Sequence, residues 1–362
     1  MTDQIQFTVK PELLTTLGKI SGKPLSPVSP FRYGNETNAE GGVSDLAALG
    51  ICDADGVVAA DKKTAVTSLA EADAFTRIYL TTPQRIIEYI AYFAPDGKIV
   101  GLTNDGGMQL ITFPAPNDAM LELVRQTIGF SLYRSSSFSA QLNRAETLVL
   151  AAMIDLERKE MLRKFADSKT AERIAVSEKE VLEMLKVPPG TIQWLSSAFV
   201  DLFSPERIPK PEDLAGIFES LAKKGLIAGS GKKYSLLDEG ILLSRNHLMP
   251  SMYLTLTSGK GLPSGKTNVA GFSCIISGIH DLLYIDYNAD DVELQAVASA
   301  EIHEYLLAFL TNPSVPGGLA GISGQKIPEP AQAASGKKFC PQCGKTLRPG
   351  LKFCSSCGAK IT

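Results

Sequence analysis

The chain has 362 residues, 44% of them hydrophobic, a formal net charge of −3 and a mean hydropathy of +0.05. That length suits two ordinary domains and a small appendage. No apolar run approaches bilayer length, and the opening MTDQIQFTVKPELL lacks the basic-then-apolar design of a signal peptide, so a soluble, cytoplasmic protein is expected.

In chain order, residues 5–20 carry a loosely helical apolar pattern, and Lys23 to Gly42 is rich in Pro, Gly, Ser and Asn and reads as loop. A short helix follows from Ser44, its expected N-cap, to Ile51, with Gly50 near its end. After the turn Asp53–Gly56, a second helix spans Lys62 to Ala72. The period then switches to two, which predicts strands over 77–81, 88–93, 98–103 and 109–113, broken by Pro95-Asp96-Gly97 and Asp105-Gly106-Gly107. A helix from Asn117 to Ile128 closes the unit, with Leu121, Val124 and Ile128 on one face.

Residues 131–143 are Ser-rich and polar and mark a boundary. A long helix is expected from Ala145 to Phe165, its apolar stripe carried by Leu150, Ile154, Met161 and Phe165. Helices follow at 177–185, 191–203 and 211–224, then a hairpin at Gly229–Tyr234 and another helix at 237–247. This is the element order of a winged helix, with the hairpin as its wing. Strands return at 253–257, 271–276, 282–287 and 292–296, and a helix at 299–310 buries Ile302, Tyr305, Leu306 and Phe309.

The halves correspond at an offset of about 175 residues. Leu46-Ala-Ala-Leu-Gly-Ile51 parallels Leu221-Ala-Lys-Lys-Gly-Leu226, and Arg77-Ile-Tyr-Leu-Thr-Thr82 parallels Ser251-Met-Tyr-Leu-Thr-Leu256. The expectation is an α+β body made by tandem duplication of a helical plus antiparallel-sheet unit, residues 1–143 and 144–312, the second containing the winged helix. Two such copies commonly pack about a pseudo-twofold axis and can share a sheet. Residues 313–336 form a Pro/Gly/Ala/Ser linker that spans roughly 25–30 Å if flexible.

The strongest chemical signal lies in residues 337–362. Cys340 and Cys343 form one Cys-x-x-Cys step, and Cys354 and Cys357 a second, ten residues on. Two tight turns of this kind bring four thiolates to one ion and close a tetrahedral zinc site. Gly344 and Gly358 follow the pairs, and Phe339 and Phe353 precede them and can pack over the cluster. With four protein ligands no coordination position remains to activate water, so the expected role is one structural Zn2+. The segment is basic, +6 against −9 for the rest of the chain.

Phe339-Cys-Pro-Gln-Cys-Gly344 and Lys352-Phe-Cys-Ser-Ser-Cys-Gly-Ala-Lys360 closely resemble the short zinc-ribbon domain appended to many bacterial and archaeal proteins. That resemblance implies a non-catalytic accessory module that contacts proteins or nucleic acid. Leu49-Gly50-Ile51 with Asp53-Ala54-Asp55-Gly56-Val57, followed by a helix and a sheet, is similar to the EspG type of type VII secretion chaperone. It implies a duplicated, non-enzymatic, cytoplasmic binding fold.

No catalytic or cofactor-binding residues emerge. Ser264-Gly265-Lys266-Thr267 lacks the upstream glycine of a P-loop and precedes a strand. His247, His280 and His303 are scattered and read as surface or satisfied polar residues, and Cys52 and Cys274 as buried small hydrophobes. Residues 144–245 carry sixteen basic and sixteen acidic side chains, and the candidate recognition helix Glu212–Ser220 presents acids where DNA demands cations. Lys223, Lys224, Lys232 and Lys233 remain as phosphate contacts from the wing side. The expected function is therefore non-catalytic binding of a protein partner, as an adaptor or chaperone. A nucleic-acid-binding regulator is the alternative.

Overall fold

Among the described residues, alternation of apolar and polar side chains draws twelve short segments into strands, ten of which join one antiparallel sheet. The structure, a computed structural model, describes residues 4–32, 39–105, 107–170, 173–187, 193–203, 208–230, 232–279, 281–288 and 291–313. All belong to the first of two compact units, Met1–Ile322. The second, Ser323–Thr362, lies outside the described residues.

The first half contributes β1 (Ile5–Val9), α1 (Leu14–Ile20), α2 (Ala39–Ala48), α3 (Lys63–Glu71), β2 (Ala74–Thr81), β3 (Ile86–Phe93), β4 (Ile99–Asp105), β5 (Met108–Phe113) and α4 (Asn117–Ile128). The second half adds β6 (Ser139–Asn143), α5 (Arg144–Ala166), α6 (Glu178–Leu185), α7 (Leu195–Phe203), α8 (Leu214–Lys223), the hairpin β7 (Ile227–Ser230) and β8 (Lys233–Leu236), and α9 (Asp238–Asn246). It ends with β9 (Met252–Gly261), β10 (Thr267–Ser277), β11 (Leu282–Asn288), β12 (Asp291–Val297) and α10 (Ser299–Thr311).

The sheet order is β1-β5-β4-β3-β2-β9-β10-β11-β12-β6. Read inward from either edge, it is the same: the strand that opens a half lies outermost, and a four-stranded meander follows. The two meanders meet where β2 pairs with β9, Arg77 opposite Thr257 and Tyr79 opposite Thr255.

One face of the centre is closed by α4 and α10. Val124, Ile302, Leu306 and Phe309 pack on Ile78, Leu80, Leu254 and Leu256. Asn117 joins the two helices to the sheet, accepting from the Tyr89 hydroxyl at 2.6 Å and donating to Leu310 O at 2.8 Å. The opposite face carries two separate helical layers: α1 to α3 over β3 to β5, with Leu17, Phe31, Leu46 and Leu69 at their core, and α5 to α9 over the second meander.

Within the second layer, α7 is placed by a buried carboxylate. Asp155, inaccessible to solvent on α5, accepts from the backbone N of Leu195 at 3.1 Å and of Ser196 at 2.7 Å, and from Ser196 Oγ at 2.6 Å. A negative charge at a helix N-terminus satisfies unpaired donors and complements the helix dipole. Arg158, equally buried, pairs with Asp155, donates to Gln193 O and Leu248 O, and lies 5.5 Å from the Trp194 ring centre.

The order and type of elements follow the sequence closely, and the departures have local causes. Ile5–Val9 is a strand where helix was expected, because its alternating Phe7 and Val9 are buried beside β5. The helix predicted from Ser44 begins at Ala39, leaving Ser44 inside it. Phe165, expected on the buried stripe of α5, is 82% exposed, since the helix outruns its neighbours by then. The polar boundary at 131–143 ends in β6, which pairs with β12. That edge strand is shielded: Lys224 donates to Gln141 O, Glu146 accepts from Asn143 N, and Thr147 Oγ1 donates to Asn143 O, all at 2.8 Å. Among the described residues no helix is long and apolar enough to cross a membrane.

Candidate binding surface and metal centre

Between the two helical layers the sheet itself is left half-open. In β2 the residues Ala74, Thr76, Ile78 and Leu80 are buried under α4 and α10, so Phe75, Arg77, Tyr79 and Thr81 point the other way and are only partly covered. Thr255 and Thr257 of β9 and Glu88 and Ile90 of β3 extend this row on either side. Gly259 sits opposite Phe75, and a Cβ there would come within 2.4 Å of the Phe75 ring, so glycine lets the ring lie against the strand.

The row is polar at its middle and apolar at its ends. Arg77 Nη2 pairs with Glu88 Oε1 at 2.6 Å, and its guanidinium lies 5.6 Å from the Tyr79 ring centre. At the Phe75 end a cavity of about 580 Å³ is walled by Leu14, Val28, Pro30, Ile90 and Tyr92. At the Thr81 end a second, about 340 Å³, lies between α7 and the strands, walled by Phe199, Leu202, Ile276 and Ile285. Six strand residues separate the two ends, roughly 20 Å. Apolar recesses around a few oriented polar groups are the usual make-up of a binding surface.

A third cavity, about 650 Å³ beside β6, is different in kind. Its central carboxylate, Glu146, is already saturated by Asn143 N, Ser220 Oγ at 2.6 Å and Lys224 Nζ at 2.8 Å. Burial pushes the Glu146 pKa up, but the Lys224 and Ser220 hydrogen bonds outweigh it and hold the carboxyl below its ordinary value. These bonds fasten α8 to the start of α5; the other carboxylates around the cavity, Asp286, Asp291 and Glu293, lie on β11 and β12, where burial and the neighbouring Glu293 raise the Asp286 pKa.

Of the residues singled out from sequence, Cys340, Cys343, Cys354 and Cys357 lie outside the described residues. Among the described residues no cluster of His, Cys, Asp or Glu could hold a metal ion. Cys52 and Cys274 are buried thiols, and burial pushes Cys274 up to about 12. Ser264–Thr267 forms the β9–β10 turn, with Gly265 at φ +77°. His303 is half-buried, its Nε2 3.1 Å from Gly129 O; His280 lies outside the described residues. His247 is 3% exposed, its Nδ1 3.2 Å from Leu243 O and its Nε2 without a hydrogen-bond partner. Of the wing-side lysines, Lys224 is held by Glu146 and Lys223 pairs with Glu219 at 2.7 Å, while Lys232 and Lys233 are exposed. The Phe75–Thr81 row was missed from sequence, although its signal is visible: the outward positions of β2 read Phe, Arg, Tyr, Thr.

Residues 339–361 match the zinc-ribbon domain family. No curated protein matches the chain. Among solved structures, the chain is similar to one in the Mycobacterium tuberculosis type VII secretion system chaperone EspG5 in complex with a PE25-PPE41 dimer, with a TM-score of 0.41, 9% identity, and 84% of this chain and 96% of that chain covered.

Proposed function

We propose that this protein is a non-catalytic binder of a protein partner, an adaptor or chaperone, that receives a partner segment along the open row of β2 and β9. The observation that carries this reading is the half-covered strand row Phe75-Arg77-Tyr79-Thr81 with an apolar cavity at each end. Aromatic and Arg side chains set in a partly desolvated recess are the groups that most often dominate protein–protein affinity. A cytoplasmic address belongs to the same proposal.

The mirrored strand order supports descent of the body from a duplicated unit, with β6 grouped with the second copy, so that the copies part just before Ser139 and not at the 143/144 boundary read from sequence; 313–336 is the linker and 337–362 the ribbon. In the ribbon Cys340, Cys343, Cys354 and Cys357 hold one structural zinc ion. The donor set fits, because four thiolates complete a tetrahedron and stabilise a segment too small for its own core. Nucleic-acid binding through a winged helix is the second reading. On the hairpin side it has only Lys232 and Lys233 exposed, with Lys233 close enough to Glu180 to lower its pKa, and Lys223 and Lys224 already engaged.

The test is affinity capture by the tagged full chain, with mass spectrometry, beside Tyr79→Asp. A nuclease-resistant protein partner lost in the variant supports the reading. Capture unchanged by Tyr79→Asp, or bound material removed by nuclease, overturns it. Metal analysis tests the ribbon separately: about one zinc per chain is expected, abolished by Cys340→Ser with Cys343→Ser.

A further inference from the structure

The smaller of the two cavities on the open row has a chemistry of its own. Its walls are Phe199 and Leu202 from α7 and Ile276 and Ile285 from the sheet, with Tyr253 at its floor. Asp201 is the single charged side chain among its described lining residues. It is exposed and makes no hydrogen bond or ion pair among the described residues.

Its position makes that isolation costly. Asp201 lies in the last turn of α7, where the helix dipole is negative and a carboxylate is disfavoured, and the last turn contains no basic residue to offset it. The helix cannot easily turn Asp201 away. Its N-terminus is fixed by Asp155, and Phe199 and Phe203, stacked with ring centres 5.4 Å apart, fix its buried side. The recess thus carries at its rim one negative charge without an ion-pair partner among the described residues, on a chain whose first 336 residues sum to −9.

Resting on the reading that the β2–β9 row receives a partner segment, we infer that this cavity takes an apolar side chain followed on the same segment by Lys or Arg. The apolar group fills the space between α7 and the sheet, and the cation neutralises Asp201 at the rim. Because Asp201 is exposed, the charge pair contributes only a few-fold in affinity, on top of the apolar contact. The Phe75-end cavity lacks this preference, because its two charges, Arg77 and Glu88, already neutralise each other.

The experiment uses full-length protein labelled with 13C at the isoleucine δ1 methyls, titrated with N-acetyl-Phe-Arg-amide and N-acetyl-Phe-Glu-amide. The expected result is saturable shifts of the Ile276 and Ile285 signals, with the Arg peptide bound about five- to tenfold more tightly. Asp201→Asn, a substitution at an exposed site, should erase that preference and leave the spectrum of the free protein otherwise unchanged. Absent shifts at both methyls, equal affinity for the two peptides, a preference that survives Asp201→Asn, or phenethylamine binding as tightly as the Arg peptide would each overturn the inference. Loss of partner capture with Tyr79→Asp separates the two levels. If it is lost but the peptides fail, the row still binds a partner and only this inference falls. If capture is untouched, the parent reading falls whatever the peptides do.

Discussion

The two helical layers that flank the open row solve one packing problem with different chemistry. Over the first meander, the largest fully buried side chains include Leu17, Phe31, Leu46, Ile51 and Leu69, an apolar core without a buried charge among its clustered side chains. Over the second, the largest fully buried side chain is Arg158, tied to Asp155, with His247 close enough to feel its charge. An apolar core loses stability in proportion to the volume removed from it. A buried ionic cluster fails as a unit, because deleting one partner leaves the other desolvated and unpaired.

The sharpest break of this contrast is Asp155→Ala. It strands Arg158 and removes the cap of α7, and the expected loss is about 4 kcal/mol in urea unfolding; a loss under about 1 kcal/mol would mean the network is solvated. Leu69→Ala in the first layer should cost about 3 kcal/mol, without displacing α7, as read by unchanged methyl signals from Ile276 and Ile285. The layers should then be distinguishable by what moves as well as by how much stability is lost.

Acid should weaken the second layer selectively. Burial, reinforced by the Arg158 charge, lowers the pKa of His247 to about 4 from an ordinary 6.5. The folded state therefore holds the imidazole neutral while the unfolded chain takes up a proton. The contribution is fully present above pH 6.5 and is lost as pH falls toward 4, by up to about 3 kcal/mol. Asp155, Glu157 and Asp286, whose pKa values burial raises, work in the opposite direction. The diagnostic is therefore the difference in pH dependence between the protein and His247→Gln, measured from pH 7 to 4.5. Parallel curves would remove His247 from the account.

Two smaller changes complete the series. Asn143→Ala removes the side chain that accepts from Glu146 N at 2.9 Å in the capping box of α5, at an expected cost of about 1 kcal/mol. Lys223→Ala, which breaks only an exposed pair with Glu219, should change stability by less than about 0.5 kcal/mol. A large effect there would indicate that α8 is held by more than its buried Leu214, Phe218 and Leu221.

Much of this architecture was legible from residue order. Asn117–Ile128 was bounded correctly at both ends because its apolar spacing and flanking Pro116 and Gly129 agree. All eight meander strands were found because one face of each is buried, which writes a period of two into the sequence. Ile5–Val9 was misread because five residues between a polar start and Pro11 are too few to separate strand from helix by periodicity. The likeness of residues 339–361 to a zinc ribbon needed no fold at all, since the spacing of its Cys-x-x-Cys pairs is local.

What residue order determined was local: element type, the two-meander plan, and the likeness of residues 339–361 to a zinc ribbon. Tertiary structure alone decided that the meanders join edge to edge at β2 and β9, that α4 and α10 cover one side of that seam, and that the other side stays half-open. It also brought Asp201 beside Ile276 and Ile285, and Asp155 beneath α7. Those outcomes depend on contacts between residues tens to hundreds of positions apart, which leave no periodic trace in the chain that makes them.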